Sequence, residues 1–222
     1  MGDSDIRRAE RDLASVSPEE AEAYLVNARR RGEMETPVFS LQQLLEHQDW
    51  KSYCKKHCEG CKDGWYHSKV DGFPYGRSEL IEYFAPRIKV EHFERVGSYQ
   101  GTCYALLKID VADGFWALWT DYFGSCSGCD GLQAADSPKE VFEYIKATLA
   151  EGNTKSFWTL RDACEYLLTT EEWRWSPHHR IDDWDDGFYN FLEALWKKTV
   201  EYGEEPPILP PVETFHENPE ED

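Results

Sequence analysis

The residues best suited to chemistry are cysteines in two matching turns, Cys58-Glu59-Gly60-Cys61 and Cys126-Ser127-Gly128-Cys129. The form Cys-x-Gly-Cys lets two thiolates on one tight turn point at a common ion, and the glycine lets backbone amides face the sulfurs. Two such turns supply the four ligands that tetrahedral zinc takes in a closed structural site. The pairs are separated by 64 residues, 62 to 125, a wider gap than in a compact zinc ribbon. Cys54, His57 and His67 stand near the first pair as alternative ligands, and spacing does not choose among them. The bland alternative is that Cys126 and Cys129 are small buried residues of a glycine-rich turn, unrelated to Cys58 and Cys61.

Other chemistry has thinner support. Cys54, Cys58 and Cys61 match the CxxxCxxC spacing of a radical S-adenosylmethionine cluster, but no repeated βα pattern follows, and Gly60 stands where an aromatic residue is usual. A thiol nucleophile at Cys126, with Asp130 or a distant histidine, would gain from exposed amides on the glycine turn, yet no nearby histidine fixes a base. The acidic surroundings also disfavour a thiolate. His178 and His179 followed by Asp182, Asp183, Asp185 and Asp186 suit a hydrolytic metal cluster. The same aspartates serve more simply to cap and charge the start of the last helix. Walker, dinucleotide-glycine, GxSxG and HExxH motifs are absent from the sequence.

Composition bounds the partners. The 222 residues carry 43 acidic and 24 basic side chains, a formal charge of −19, so the long-range field repels nucleic acid and anionic membrane surfaces. No window reaches the roughly 18 to 20 apolar residues of a membrane span, and the first thirty residues are charged, unlike an apolar signal segment. Seven cysteines without such a signal suit a reducing compartment, and the expected location is cytoplasmic. Nine Trp, twelve Tyr and eleven Phe require a packed interior or a binding surface.

The elements that must position these residues read as one α+β domain, 1–203, followed by an acidic, proline-rich, flexible tail, 204–222. Ser17, Pro18, Glu19 and Glu20 open a helix running to Arg31 and ended at Gly32. Ser40 with Gln43 forms a capping-box pattern for a second helix running toward Trp50. Ser78 caps a short helix through Phe84, stopped by Pro86. Arg87–Val96, Thr102–Asp110 and Phe115–Tyr122 read as an antiparallel meander over about 87–122, with Asp113-Gly114 as a tight hairpin signal. A helix from Pro138 to about Leu149 follows, then one from about Trp158 to Leu168 whose apolar face includes Cys164. The last starts near Asp183 and carries Phe188, Phe191, Leu192, Leu195 and Trp196 inward. Trp173 and Trp175 are expected in core packing. The fold class is a small antiparallel β-meander covered by N- and C-terminal helices.

The segments GSYQGTCYALLKI and DYFGSCSGCDGL, within Gly97 to Asp130, resemble an uncharacterised family of small phage and bacterial proteins carrying a YQG element and a YGSCSGCD loop at the end of a strand. The matching positions are Tyr99, Gln100, Gly101, Tyr122, Gly124, Ser125, Cys126, Ser127, Gly128, Cys129 and Asp130, with Phe123 as an insertion between the Tyr and the Gly. The resemblance covers about 35 residues and implies a shared local structure and a viral or mobile-element setting. It carries no established activity, and the first cysteine pair lies outside it. It marks Tyr99, Gln100, Tyr122, Ser125, Ser127 and Asp130 as a binding loop.

The expected function is that of an acidic, non-enzymatic interaction protein braced by zinc and binding a basic protein partner, without direct nucleic-acid or membrane binding. The alternatives are an enzyme using the glycine-cysteine loop as thiol nucleophile or metal site, and a nucleic-acid mimic whose spaced carboxylates imitate phosphates.

Overall fold

The computed structural model describes residues 16–32, 34, 36–37, 39–46, 77–97, 100–124, 130–135, 138–150, 152–170 and 185–208. Their elements are helix α1 (Pro18–Arg31), a 3-10 turn (Leu41–Leu44), α2 (Arg77–Phe84), strands β1 (Ile88–Gly97), β2 (Gly101–Ile109) and β3 (Phe115–Phe123), α3 (Gly131–Ala134), α4 (Pro138–Thr148), β4 (Thr154–Phe157), α5 (Leu160–Thr169) and α6 (Asp185–Glu201). The strands form one antiparallel sheet in the order β1-β2-β3-β4, so the α+β meander expected from the sequence is present and extended by a fourth strand.

Helices cover both faces of the sheet. On one face Cys103, Ala105, Leu107 and Ile109 of β2 and Phe115, Ala117 and Trp119 of β3 pack against α1, α2 and α4. On the other, Tyr104 and Leu106 with Trp116 and Leu118 meet α5 and α6. The two sets alternate along each strand because successive side chains of a strand point to opposite faces. With both faces covered, β2 is a near-continuous apolar run rather than an alternating one.

β1 is an edge strand, and its register on β2 shifts between Val90 and His92, leaving Glu91 as an extra residue. Such a bulge inverts the alternation. Ile88 and Val90 before it and Phe93 after it all serve the first core, while His92 stacks toward Phe191 of α6 with ring centroids 5.7 Å apart. Glu91 is held by Lys89 at 2.6 Å and by Lys198 of α6 at 3.5 Å, an electrostatic clamp between the edge strand and the last helix.

Local signals succeed where the side chains have no competing partner. Ser17 Oγ accepts from the Glu20 amide at 3.2 Å while Glu20 accepts from the Ser17 amide at 3.0 Å, completing the capping box of α1. The pattern Ser40 to Gln43 fails as a helix start. Gln43 donates instead to the Val16 carbonyl at 3.1 Å, Ser40 makes no side-chain cap, and Leu45 is extended at ψ 129°, so only a four-residue 3-10 turn forms. The remainder of that expected helix, 47–50, lies outside the described residues. Ser78 is not a cap either: α2 already includes Arg77, and Ser78 Oγ donates to Glu79 at 2.9 Å.

The β2–β3 connection is wider than a two-residue hairpin, because Ile109 pairs with Phe115 and five residues intervene. Ala112, Asp113 and Gly114 take φ of 53°, 69° and 89°, so the glycine is only the last of three left-handed residues. Glu22 of α1 secures this conformation by accepting from the Ala112 amide at 3.1 Å, and Arg87 links both Glu22 oxygens at 3.1 Å to the Asp110 carbonyl at 2.8 Å.

Asp185 is the first described residue of α6, the expected start near Asp183 lying outside the described residues, and Phe188, Phe191, Leu192 and Leu195 are buried. Trp196 does not point inward with them. It is half-buried, and its indole donates to the Pro207 carbonyl at 2.9 Å. Glu204 to Ile208 run along α5 and α6: the Glu204 amide donates to Thr199 at 3.0 Å, and its carboxylate accepts from the Arg161 amide at 2.9 Å in the first turn of α5.

Burial between β1 and α6, with Lys198 nearby and only partly offset by Glu94, holds the His92 imidazole below its ordinary pKa. Among the described residues its buried Nε2 has no hydrogen-bond partner, the Glu94 carboxylate standing 3.8 Å away. The neutral form is therefore the folded form, and its contribution is complete above about pH 6.5 and lost as pH falls below the unfolded value. Denaturant midpoints of wild type and His92→Gln are expected to diverge between pH 7.5 and 5, the wild type losing more stability on acidification. Parallel profiles would rule out His92 as the source.

Candidate functional site

The end of the sheet formed by Gly97, Gly101 and Phe123, which share one register row, gathers the described residues of the expected binding loop. Gln100 is exposed, and its amide oxygen accepts from the Tyr122 hydroxyl at 3.0 Å, joining the YQG element to the end of β3. Gly101 is required by contact. A Cβ there would lie 1.9 Å from the Val96 carbonyl oxygen and 2.7 Å from the Phe123 ring, and the opposing atoms are backbone and a packed aromatic. Arg95 stacks over that same Phe123 ring at 3.8 Å.

Beneath this end lies a buried ionic cluster. Arg77 opens α2 and donates from Nε to Asp121 at 2.5 Å, and from Nη2 to Asp130 at 2.9 Å and to the Tyr122 carbonyl at 3.2 Å. The Tyr144 hydroxyl of α4 donates to the same Asp121 oxygen. Asp130 is 3% exposed, and its oxygens also accept from the Gly124 amide at 3.3 Å and the Leu132 amide at 2.9 Å. One carboxylate thereby ties the residue before the 125–129 segment to the first turn after it, and one guanidinium holds both to α2. A fork of donors in a plane is what lets Arg, rather than Lys, serve four acceptors at once, the Tyr144 hydroxyl oxygen at 3.3 Å being the fourth.

The electrostatics are those of a closed brace. Burial alone would lower the Arg77 pKa, but Tyr144 and Asp121 outweigh it and hold it above its ordinary value. Burial pushes Asp121 above the usual carboxylate range against the pull of Arg77 and Tyr144. Tyr144 is raised, first by burial and then by Asp121. Cys103, on the same face of the sheet, is pushed up to about 12, chiefly by burial, and is no nucleophile near neutral pH. Cys164 is the core residue expected, with its thiol raised to about 11 mainly by burial and its sulfur 3.5 Å from Thr199 Oγ1. These contacts join α2, the end of β3, the start of α3 and α4, so the arrangement positions chain segments.

Among the expected site residues, the structure thus brings together Gln100, Tyr122 and Asp130. Tyr99, Ser125, Ser127, the four cysteines Cys58, Cys61, Cys126 and Cys129, and the alternates Cys54, His57 and His67 lie outside the described residues, as do His178, His179, Asp182, Asp183, Trp173 and Trp175. Among the described residues, no group of three or more His, Cys, Asp and Glu is arranged to hold a metal ion, and no helix is long and apolar enough to cross a membrane. Sequence reasoning missed Arg77, Asp121 and Tyr144. Their only sequence signal is a charged residue, Asp121, within an otherwise aromatic strand. Comparison with protein-family models, curated proteins and solved structures finds nothing that matches this chain.

If the brace acts as a unit, removing its cation costs more than its hydrogen bonds. Arg77→Met leaves uncompensated buried carboxylates and is expected to lose about 3 to 5 kcal/mol. Arg77→Met combined with Asp121→Asn is expected to lose at least about 1 kcal/mol less than the sum of the single changes. Strict additivity in denaturant unfolding would show that the groups are merely adjacent.

Proposed function

We propose that this chain is an acidic interaction protein that binds a basic protein partner at the sheet end carrying Gln100, Tyr122 and the 125–129 segment. We further propose that Cys58, Cys61, Cys126 and Cys129 brace that end with one zinc ion. The observation supporting both is the Arg77 bridge. Arg77 is the first described residue after the stretch that holds Cys58 and Cys61, and it bonds to Asp130, which adjoins Cys129 and accepts from Gly124, two residues before Cys126. The stretches bearing the two pairs are thus tied to one point of the fold. Fifteen residues lie between Cys61 and Arg77, and a chain of that length reaches about 50 Å when extended, so connectivity allows the pairs to meet.

A partner docking here would be steered by the excess of acidic over basic residues, and its affinity would fall as salt screens the field. The binding test compares capture from a lysate of the native host by wild type and by Gln100→Ala/Tyr122→Ala, both confirmed folded, at rising salt. A basic protein retained by wild type at low salt and lost by the variant is the expected result. Equal retention by both removes the sheet end as the interface.

The zinc brace makes its own prediction, in which Cys103 and Cys164, 1% and 0% exposed, must be discounted because burial protects them regardless of metal. Protein purified without a tag or added metal is expected to carry one zinc per chain. Chelation should raise the number of fast-reacting thiols by four, with Cys103 and Cys164 reacting only after denaturation. Metal-free protein whose Cys126 and Cys129 react at once would overturn the brace and leave the interaction reading to stand on the capture experiment.

A further inference from the structure

The outer face of α6 holds a groove that the cysteine loop does not explain. Tyr189, Glu193 and Trp196 follow one another at helical spacing on that face, and Lys197 completes it through an ion pair with Glu193 at 2.9 Å. The chain itself forms the other wall of this groove. After Glu204 fastens the turn beyond α6, Pro206 and Pro207 line it opposite the helix, and the Trp196 indole donates to the Pro207 carbonyl at 2.9 Å. Ile208 is 94% exposed, so its side chain supplies little of the contact; what engages α6 is the carbonyl of Pro207, with both prolines half-buried.

Three properties of this contact are those of polyproline recognition. Proline fixes its own φ near −65° and biases the residue before it to extended backbone, so the sequence Glu205-Pro206-Pro207 favours the polyproline II region and has little entropy left to lose there. That conformation has no internal hydrogen bonds, which leaves its carbonyls available to an outside donor. An indole N–H is a donor only and sits at the edge of a flat apolar ring, matching one carbonyl and one proline ring together.

We propose that the Tyr189–Trp196 face of α6 is a recognition surface for a proline-rich segment of a partner protein, and that Pro206-Pro207, bonded to Trp196, stands beside it as a tethered competitor. The cis contact defines the ligand: two consecutive prolines in extended form with a free carbonyl on the second. This inference stands apart from the zinc brace and from the sheet end, and the failure of either leaves it intact.

The test uses the full chain and a synthetic peptide with the sequence of residues 204–212. In wild type, the Trp196 indole N–H is expected to be protected from exchange, and Pro206→Gly/Pro207→Gly, confirmed folded by circular dichroism, is expected to lose that protection. Removing a competitor held at millimolar effective concentration should let the peptide bind the double variant at least about ten-fold tighter than wild type. The shifts should fall on Tyr189, Glu193, Trp196 and Lys197. Trp196→Phe in the double-variant background, which keeps a ring and removes the donor, should weaken the peptide several-fold, and a peptide with alanine at each proline should not bind. Equal affinity for wild type and double variant, or binding indifferent to Trp196→Phe, overturns the proposal. A wild-type chain that sediments as a dimer, with its Trp196 resonance moving with protein concentration, would place a second copy's segment in the groove and also overturn it.

Discussion

β2 must be buried on both faces, and most of the architecture follows from that constraint. Its side chains alternate between two cores, so no face of the strand can be left to water, and each neighbour must bring a helix layer with it. β1 and β3 flank it along its length, α1, α2 and α4 close one side, and α5 and α6 close the other. Truncating a leucine in such a strand, Leu106 or Leu107, removes contacts from a fully enclosed site, where losses run to about 2 to 5 kcal/mol. The edge strands are under less demand. β1 carries Lys89, Glu91, Glu94 and Arg95, whose charges suit an edge that must not pair with another chain.

The cost of the two-sided core appears where the sheet ends. Main-chain groups at the end of β3 and at the start of α3 lie too deep for water, and Asp130 supplies acceptors for two of their amides. A carboxylate at that depth is tolerable only beside a cation, and Arg77 is that cation. The brace is thus a consequence of closing a layered core around a sheet whose third strand must hand the chain to a helix. Its position is what gives it functional interest, because in sequence Arg77 follows directly on the stretch that bears Cys58 and Cys61, and Asp130 on the one that bears Cys126 and Cys129.

The sequence announced what is local and stayed silent about what is assembled. The capping box of α1 and the β-branched and aromatic strands are legible because the residues involved act on neighbours a few positions away. The Ser40 pattern misled because Gln43 found a better partner, Val16, 27 positions earlier. β4 escaped notice because Thr154-Lys155-Ser156-Phe157 has only four residues and little β character, and its pairing with Trp116 to Trp119 comes from the fold. The bulge at Glu91 broke the period on which a reading of β1 faces would rest. The brace joins residues 77, 121, 130 and 144, from four different places in the chain, and no spacing rule connects them. Gln100 and Tyr122, singled out by a resemblance and not by spacing, stand in hydrogen-bonding contact.

The distribution of cations bears on the acidic character of the whole. Arg29 stacks on Trp158 and donates to Gly114, Arg87 clamps Glu22, Arg95 covers Phe123, Lys108 lies over Trp116 and Tyr202, Lys198 bridges to Glu91, and Arg161 pairs with Glu165. These basic side chains are thus engaged in holding elements to one another, on aromatic faces as often as on carboxylates. A charge of −19 is therefore more than an imbalance of counts. These six cations are turned toward the fold's own contacts, while the chain as a whole keeps an excess of carboxylates that sets its long-range field. Such a field costs the compact state some self-repulsion and gains long-range attraction for a cationic surface.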